Sequence, residues 1–256
     1  MPRGINQIVT ISLVPPDHLG NTAINTWNSL ALRHNPLIDP PDSTLDAFIT
    51  DNTFLTTAPL IPELRLHLAT EVTPLWQATE ATLDASGLPP PYWAFAWVGG
   101  QAVARHILDH PELVRGLRVL DFAAGCGLIA LAAARAGAAS VTAVDIDPFA
   151  LAAIRLNAAA NGLEVAVSSD NVVGRPPGGT DVVLAGDVCY ERPMAEAVIA
   201  WLRTEAAAGS CVIIGDPGRS YLPRTGLTAL ARHMIPTISD VEDVEVKSTT
   251  VWRVEA

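Results

Sequence analysis

A glycine-rich turn after a short apolar segment is the clearest ligand-binding feature of this sequence. Residues 117–122 (LRVLDF) lead directly into AAGCGLIA, and Gly125 and Gly127 remove Cβ atoms where a ligand must approach the backbone. A strand followed by a glycine turn and the start of a helix directs backbone N–H groups at such a ligand. The next apolar segment, residues 140–145 (SVTAVD), ends in Asp145, whose carboxylate can accept both hydroxyls of a ribose. The pattern therefore predicts a cofactor that contains a nucleoside.

Two classes of cofactor fit this turn. The run Gly-x-Gly-x-x-Ala that begins at Gly125, with Asp145 about 20 residues further on, satisfies a dinucleotide fingerprint. Alternatively, Asp121 and the turn from Ala123 to Gly127 match the acidic glycine turn of S-adenosylmethionine (SAM) enzymes, with alanine in place of the first glycine. A carboxylate at Asp121 would repel a pyrophosphate but suits the positive charges of SAM. The residues therefore favour SAM, and the contacts expected here are Asp121, Ala123, Gly125, Gly127 and Asp145.

Further residues are expected to complete the cofactor site. Ile146 can cover one face of the adenine ring, and Asp170 or Asn171, after a third strand, can meet the adenine amine. Upstream of the glycine turn, the segment PYWAFAWVGG can close over the cofactor, with Trp97 and the glycine pair that begins at Gly99 in contact with it. The alternative for its aromatic residues is a core patch that joins the N-terminal part of the chain to the sheet.

The segment GDVCYE follows the fourth apolar segment, at the edge of an open α/β sheet where substrates bind. An amine that attacks a methyl group needs an acceptor to orient its N–H and a wall that excludes water. We therefore predict Asp187 and Tyr190 as catalytic residues and Glu191 as a substrate contact. The alternative is that Asp187 or Glu191 caps the following helix. Asp216 and Arg219 are predicted substrate contacts on the same rim, unless GDPGRSY is an ordinary turn.

The charge balance disfavours some partners. The chain of 256 residues has 16 Lys and Arg against 27 Asp and Glu, a formal net charge of −11. A duplex-binding protein normally carries a basic face, so nucleic acid is not expected as a partner. The absence of a proline after Asp187 also disfavours methylation of nucleic-acid bases. Lys247 is the only lysine, and an acidic enzyme is suited to attracting a protein that bears an exposed lysine.

Cysteine and histidine usage predicts neither a disulfide framework nor a metal site. The three cysteines have no CxxC spacing, and His106, His110 and His233 are expected at the surface or at helix ends, with no second ligand at metal spacing. No segment has the unbroken apolar length of a membrane helix, and the first residues make a poor signal peptide. We therefore expect a cytoplasmic monomer without membrane association.

Alternating apolar segments and amphipathic runs predict an α/β fold. Helices are expected over residues 101–108, 128–136, 148–161 and 227–233, with another ending near 207, and further strands over 163–168, 180–185, 210–215, 235–241 and 244–254. This order implies a Rossmann-like, doubly wound, seven-stranded and mostly parallel sheet with an antiparallel C-terminal edge.

Two regions are predicted along the chain. Residues 1–58 are predicted to form an irregular arm with one short helix near residues 46–49. Residues 59–256 are predicted as one domain that starts with helices. One of them carries a stripe of Leu66, Leu68, Val72 and Leu75, and the other spans residues 74–85.

Five blocks, taken in order, resemble the seven-strand (class I) SAM-dependent protein lysine methyltransferases: PYWAFAWVGGQAVARHIL, VLDFAAGCGLIALAAARAGA, VDIDPFALAAIRLNAAANG, GDVCYE and IGDPGRSYLP. Among these enzymes, the blocks are most similar to those that act on the β-subunit of electron transfer flavoprotein. The resemblance begins at about residue 62 and reaches the C-terminal strand pair. It implies an enzyme that methylates lysine ε-amines of a partner protein, with Asp187 and Tyr190 at the family's Asp-x-x-Tyr substrate motif.

Other functions stay open at this point. Related seven-strand enzymes with similar cofactor halves methylate ribosomal protein L11 or small amines. A catalytically silent module that only binds a partner is disfavoured by the glycine turn and by the pair Asp187 and Tyr190. An NAD-type oxidoreductase is disfavoured by Asp121.

Overall fold

The computed structural model describes residues 42–70, 90–176, 178–237 and 246–256. The helices within these ranges are α1 (Asp42–Asn52), α2 (Val98–Asp109), α3 (Leu128–Arg135), α4 (Pro148–Asn161) and α5 (Arg192–Ala207). The strands are β1 (Phe54–Ala58), β2 (Ile61–Leu68), β3 (Arg118–Phe122), β4 (Ser140–Val144), β5 (Ala166–Ser168), β6 (Val182–Gly186), β7 (Cys211–Asp216), β8 (Leu227–Pro236) and β9 (Val246–Val254).

Strands β3 to β9 form one seven-stranded sheet in the order β5-β4-β3-β6-β7-β9-β8. Strands β3 to β7 run parallel, whereas β9 is antiparallel to both β7 and β8. The predicted Rossmann-like sheet with an antiparallel C-terminal edge is therefore confirmed. Because β3 lies between β4 and β6, the strand order reverses beside it. Such a reversal opens a crevice at the carboxyl ends of the strands, where a ligand can bind.

The sheet is covered on both faces, which explains the continuous apolar sequence of its central strands. In β6, Val182 and Leu184 pack in the core that includes α2 and α3, whereas Val183 and Ala185 pack in the core that includes α5. This alternation fixes the register of β6 and thereby the direction in which the residues after it leave the sheet.

Local signals set the bounds of α4 as predicted. Pro148 is its first residue, and the side chain of Asp147 accepts a hydrogen bond from the backbone N–H of Phe149 at 2.9 Å. The helix ends at Asn161, and Gly162 follows it with a φ of +63°.

A two-stranded hairpin of β1 and β2 lies beside the main sheet and is held by two asparagines of α4. The Asn157 Oδ1 accepts a hydrogen bond from the backbone N–H of His67 at 2.7 Å. The side-chain amide of Asn161 accepts from the backbone N–H of Arg65 at 2.9 Å and donates to the backbone carbonyl of Arg65 at 2.6 Å. The Asn157 Nδ2 also donates to the carbonyl of Cys126, within the glycine turn, at 2.9 Å. The hairpin is therefore tied to the turn through one side chain.

The N-terminal part of the chain differs from the prediction. The stripe that includes Leu66 and Leu68 belongs to strand β2 and not to a helix, because its apolar residues alternate toward the core and its backbone pairs with β1. The short helix expected near residues 46–49 is confirmed as α1. Residues 1–41 of the predicted arm, Val72 and Leu75 of the stripe, and the helix predicted over 74–85 lie outside the described residues.

The predicted helix over residues 227–233 is also wrong, since these residues begin strand β8. This strand pairs with β9 from Leu227↔Val254 to Pro236↔Val246, and it forms the edge of the sheet. It ends at Pro236, so the strand predicted over 235–241 is found only at its first residues, and residues 238–245 lie outside the described ranges.

His106 lies in the last turn of α2, as expected, but its side chain is buried and not at the surface. Within the described residues, His, Cys and acidic side chains form no cluster that could hold a metal ion. In the same part of the chain, no helix combines the length and the apolarity that crossing a membrane requires.

Candidate active site

A pocket opens at the carboxyl ends of β3 and β6, beside the point where the strand order reverses. Three separate segments line it: Phe95, Ala96, Trp97 and Gly100 around the start of α2; Ala123, Ala124, Gly125, Cys126, Leu128 and Ile129 in the turn and first residues of α3; and Gly186 and Asp187 at the end of β6. The structure thus brings together the glycine turn, the upstream aromatic segment and GDVCYE, which the sequence analysis placed at one site.

The glycine turn is shaped by backbone conformation and by Asp145. Gly125 and Gly127 have φ values of +53° and +78°, and Ala123 adopts +53°, an uncommon conformation for a residue with a Cβ. One carboxylate oxygen of Asp145 accepts from the N–H of Gly125 at 2.9 Å, and the other accepts from the N–H of Asp147 at 3.0 Å. Each oxygen keeps a second lone pair for a ribose hydroxyl, so these residues fit a nucleoside cofactor.

Asp121 lies beneath the turn and not in the lining of the pocket. Its side chain is fully buried, and its Oδ2 accepts from the N–H of Ala130 in the first turn of α3 at 2.9 Å. Burial raises the pKa of this carboxyl to about 8. Its Oδ1 has no hydrogen-bond partner within the described residues. The observed role of Asp121 is to hold the helix that follows the turn, and its contact with the cofactor stays a prediction.

The residues expected on the adenine side are accessible. Ile146, which follows Asp145 after β4, is 53% exposed although its side chain is large and apolar. Asp170 accepts from Ser168 at 2.9 Å and pairs with Arg175 at 3.2 Å, and both interactions lower its pKa. The Asn171 Oδ1 accepts from the N–H of Val173 at 3.1 Å. Asp170 and Asn171 thus shape the loop after β5, and their contacts with adenine stay predictions.

Replacing Ile146 with serine is expected to weaken SAM binding about fivefold or more without lowering the melting temperature. An exposed apolar side chain contributes little to the free energy of unfolding, but covering an adenine ring would remove its surface from water. Titration calorimetry with SAM measures the affinity. Met234→Ser is the matched control, because Met234 is 62% exposed on β8 at the far edge of the sheet. Equal affinities for the two variants would contradict a role for Ile146.

Asp187 is held in a constrained position at the end of β6. Its φ is +57°, its backbone N–H donates to the carbonyl of Gly215 at 2.9 Å, and its side chain is nearly buried. The Oδ2 accepts from the backbone N–H of Gly100, in the first turn of α2, at 3.2 Å. The predicted alternative, a cap on α5, is not what the structure shows, because the carboxylate faces α2. A residue held against its backbone preference at a pocket wall is typical of a functional site.

Arg219 reaches Asp187 from the loop after β7, and Asp216 at the end of that strand holds the loop. The guanidinium donates to the Asp187 Oδ1 through Nη2 at 2.7 Å and Nε at 3.2 Å. Asp216 is only 2% exposed, and its Oδ1 accepts from the backbone N–H groups of Gly218 at 2.6 Å and Arg219 at 2.7 Å. Burial raises the pKa of Asp216 to about 6. Asp216, predicted as a substrate contact, therefore lies where it shapes the loop that carries Arg219.

An aromatic wall adjoins the pair formed by Asp187 and Arg219. The Trp97 indole N–H donates to the carbonyl of Tyr92 at 2.9 Å, and the rings of Tyr92 and Tyr190 are 6.1 Å apart. The guanidinium of Arg219 lies 6.0 Å from the centre of the Trp97 ring. Burial raises the pKa of Tyr190, so its phenol stays neutral at physiological pH. Glu191 is the first residue before α5, and its side chain makes no capping hydrogen bond.

Trp93 belongs to the core and not to this wall. It is buried and stacks on Phe149 of α4 at 6.0 Å, with Phe48 of α1 against its edge. The core alternative therefore holds for Trp93, whereas Trp97 lines the pocket and its contact with the cofactor stays a prediction.

The sequence analysis missed a close approach of backbones beside Asp187. A Cβ on Gly99 would overlap the Asp187 Oδ2 and the carbonyl of Gly215, so Gly99 is a packing residue, whereas its neighbour Gly100 lines the pocket. Gly186 and Gly215 are direct partners in the register of β6 and β7, and each precedes an aspartate. The repeated Gly-Asp at the ends of two parallel strands was the signal that could have revealed this contact.

The seven-stranded sheet with its antiparallel C-terminal edge, the glycine turn and the acid after β4 fit a class I SAM-dependent methyltransferase. The family described as ribosomal protein L11 methyltransferase (PrmA) matches residues 106–191. Over longer spans, the chain is similar to the electron transfer flavoprotein beta subunit lysine methyltransferases of Xenopus laevis (36% identity, covering 89% of this chain and 95% of the relative) and Homo sapiens (38% identity, covering 82% of each).

This chain belongs to the family of the electron transfer flavoprotein β-subunit lysine methyltransferases. The resemblance inferred from the five sequence blocks is thereby confirmed. The prediction that the cofactor is SAM and not a dinucleotide is confirmed as well.

Proposed function

We propose that this protein transfers the methyl group of SAM to the ε-amine of a lysine on a partner protein, and that the partner is the β-subunit of electron transfer flavoprotein. The observation that carries the proposal is Asp187, which is constrained at the pocket wall with its carboxylate beside the aromatic residues. A carboxylate in this position suits an amine that must be oriented by an accepted N–H hydrogen bond. The relatives are lysine methyltransferases of this β-subunit by name, which supports the choice of acceptor.

Several residues of this chain have separate roles in methyl transfer. SAM bound at the glycine turn and Asp145 would supply an electrophilic methyl group: the lone pair of the amine would form the N–C bond, and the C–S bond would break with its electron pair left on sulfur. Asp187 accepts an N–H of the amine and aims its lone pair. Trp97 and Tyr190 exclude water from the space beside Asp187 where the amine binds. This desolvation lowers the pKa of the entering ammonium, which releases its proton to solvent.

Label transfer to a defined acceptor tests this function. The purified protein is incubated with methyl-labelled SAM and either the electron transfer flavoprotein β-subunit, ribosomal protein L11 or a mixture of small amines. Mass spectrometry then locates the label. Methylated lysine in the β-subunit alone is the expected result. Labelling confined to L11 or to small amines would overturn the proposed acceptor.

A further inference from the structure

The carboxylate that would orient the acceptor already carries a cationic partner. Arg219 donates twice to the Asp187 Oδ1, and the side chains of these two residues are only 21% and 8% exposed. At this degree of burial, the interaction between charges is stronger than at the protein surface. The pair therefore presents almost no net charge to a group that enters from the pocket.

Asp216 and Trp97 fix the position of Arg219. Asp216 is buried beneath the loop, and one of its oxygens receives the backbone N–H of Arg219 itself. The face of Trp97 then supports the guanidinium. The backbone of Arg219 is thus anchored from below and its side chain is guided by a flat wall, so the pair with Asp187 is specified by the fold.

A lone carboxylate would work against methyl transfer. An anion next to an alkylammonium favours the protonated form, whose nitrogen has no lone pair for attack. Asp187 by itself would orient the amine but also hold its proton. A guanidinium paired with the same carboxylate cancels the stabilisation of the protonated amine, and the carboxylate still accepts a hydrogen bond.

We propose that Arg219 is a positioning residue that neutralises Asp187, so that the bound acceptor lysine stays in its neutral, nucleophilic form. The inference rests on the proposed lysine methylation and deepens it. Arg219 is expected to remain on Asp187 during transfer and to act on the amine through that carboxylate.

Other charged and titratable groups face this pair from the neighbouring elements. Among the described residues, Cys189 and Tyr190 after β6 and Asp216 at the end of β7 interact with the pair, and Tyr92 before α2, Asp145 after β4 and Glu191 lie around Tyr190. Burial raises the pKa of the Cys189 thiol to about 12 and also raises that of Tyr190, so both stay neutral at physiological pH. Burial raises the pKa of Asp216 to about 6 and that of Asp121, beneath the glycine turn, to about 8. Both groups are the same in wild type and in every variant, so a difference between their pH profiles above pH 7 reports on the acceptor amine.

The pH profile of kcat tests the proposal, because kcat reports groups in the enzyme–substrate complex. Transfer to the electron transfer flavoprotein β-subunit is measured from about pH 7 to pH 9.5 for wild type, Arg219→Gln and Arg219→Lys. We expect the rising limb of Arg219→Gln to move up by about one pH unit or more, with activity recovering at the alkaline end. Arg219→Lys restores the charge and is expected to keep a profile close to that of wild type.

Arg224→Gln is the matched control, because Arg224 is exposed in the same loop segment. Calorimetric SAM affinities are measured for every variant and are expected to agree with wild type. A loss in Arg219→Gln that is equal at every pH, or a profile that superimposes on wild type, would overturn the role of Arg219. Both results leave lysine methylation standing, whereas a wild-type enzyme that labels no lysine would refute the proposed function itself.

Discussion

Replacing Asp187 with asparagine is expected to lower kcat for lysine methylation by about a hundredfold or more while the affinity for SAM stays within about threefold. Asparagine tolerates the left-handed backbone that Asp187 adopts, so the variant preserves the turn after β6. It removes the anion that orients the amine and that pairs with Arg219. The cofactor turn lies on the other side of the pocket and keeps its own hydrogen bond from Gly125 to Asp145.

Single-turnover methylation and SAM calorimetry separate the two effects of this variant. Asp181→Asn is the matched control, because Asp181 immediately precedes the first residue of β6, at the end of the strand away from Asp187. It pairs with Arg118 at the surface, where an ion pair contributes little to stability. This control is expected to keep full activity. A parallel loss of SAM binding and of transfer in Asp187→Asn would show that Asp187 is only structural.

Replacing Gly99 with alanine is expected to lower the free energy of unfolding by about 3 kcal/mol and the melting temperature by roughly 6–12 °C. The new Cβ would overlap both the Asp187 carboxylate and the carbonyl of Gly215, and a backbone carbonyl cannot rotate away. Relief requires α2 to move off the sheet, where its buried face packs against β6 and β7.

The adjacent glycine provides an internal control for that experiment. A Cβ on Gly100 would meet no atom within 4 Å. Gly100→Ala is therefore expected to leave stability unchanged or to raise it by up to about 1 kcal/mol, since alanine is the better helix former. Thermal unfolding followed by circular dichroism compares the two variants. Equal melting temperatures would show that α2 adjusts freely and that the close approach is not required for stability.

Local signals explain which elements could be predicted from the sequence. Helix α4 has Pro148 at its start and a glycine after its end, and both bounds match the prediction. Strand β8 carries no such signal: its apolar residues suit a helix, and only pairing with β9 makes it a strand. Strand β2 was missed for a related reason, because its partner β1 lies within residues that were predicted to be irregular. Local secondary-structure propensity is overridden where a strand distant in the sequence supplies the backbone hydrogen bonds.

In the candidate site, too, local motifs could be predicted from the sequence, whereas contacts between distant segments could not. Gly125 and Asp145 follow a motif whose spacing is visible in the sequence, and the structure joins them by a hydrogen bond. Asp187 and Arg219 were both assigned to the acceptor rim, but the bond between them joins residues that are 32 positions apart. Their contact depends on the parallel pairing of β6 and β7, which no local pattern reveals.

The two asparagines of α4 also have a consequence for the fate of the newly made chain. An unpaired strand edge is a template on which another chain can add a strand and start an aggregate. On β2, the amides of Asn157 and Asn161 take the backbone groups of His67 and Arg65 that such a strand would use. Side chains on a helix thereby imitate a neighbouring strand but offer no further edge in turn. This arrangement closes the β2 edge at these residues to intermolecular pairing as soon as α4 has docked.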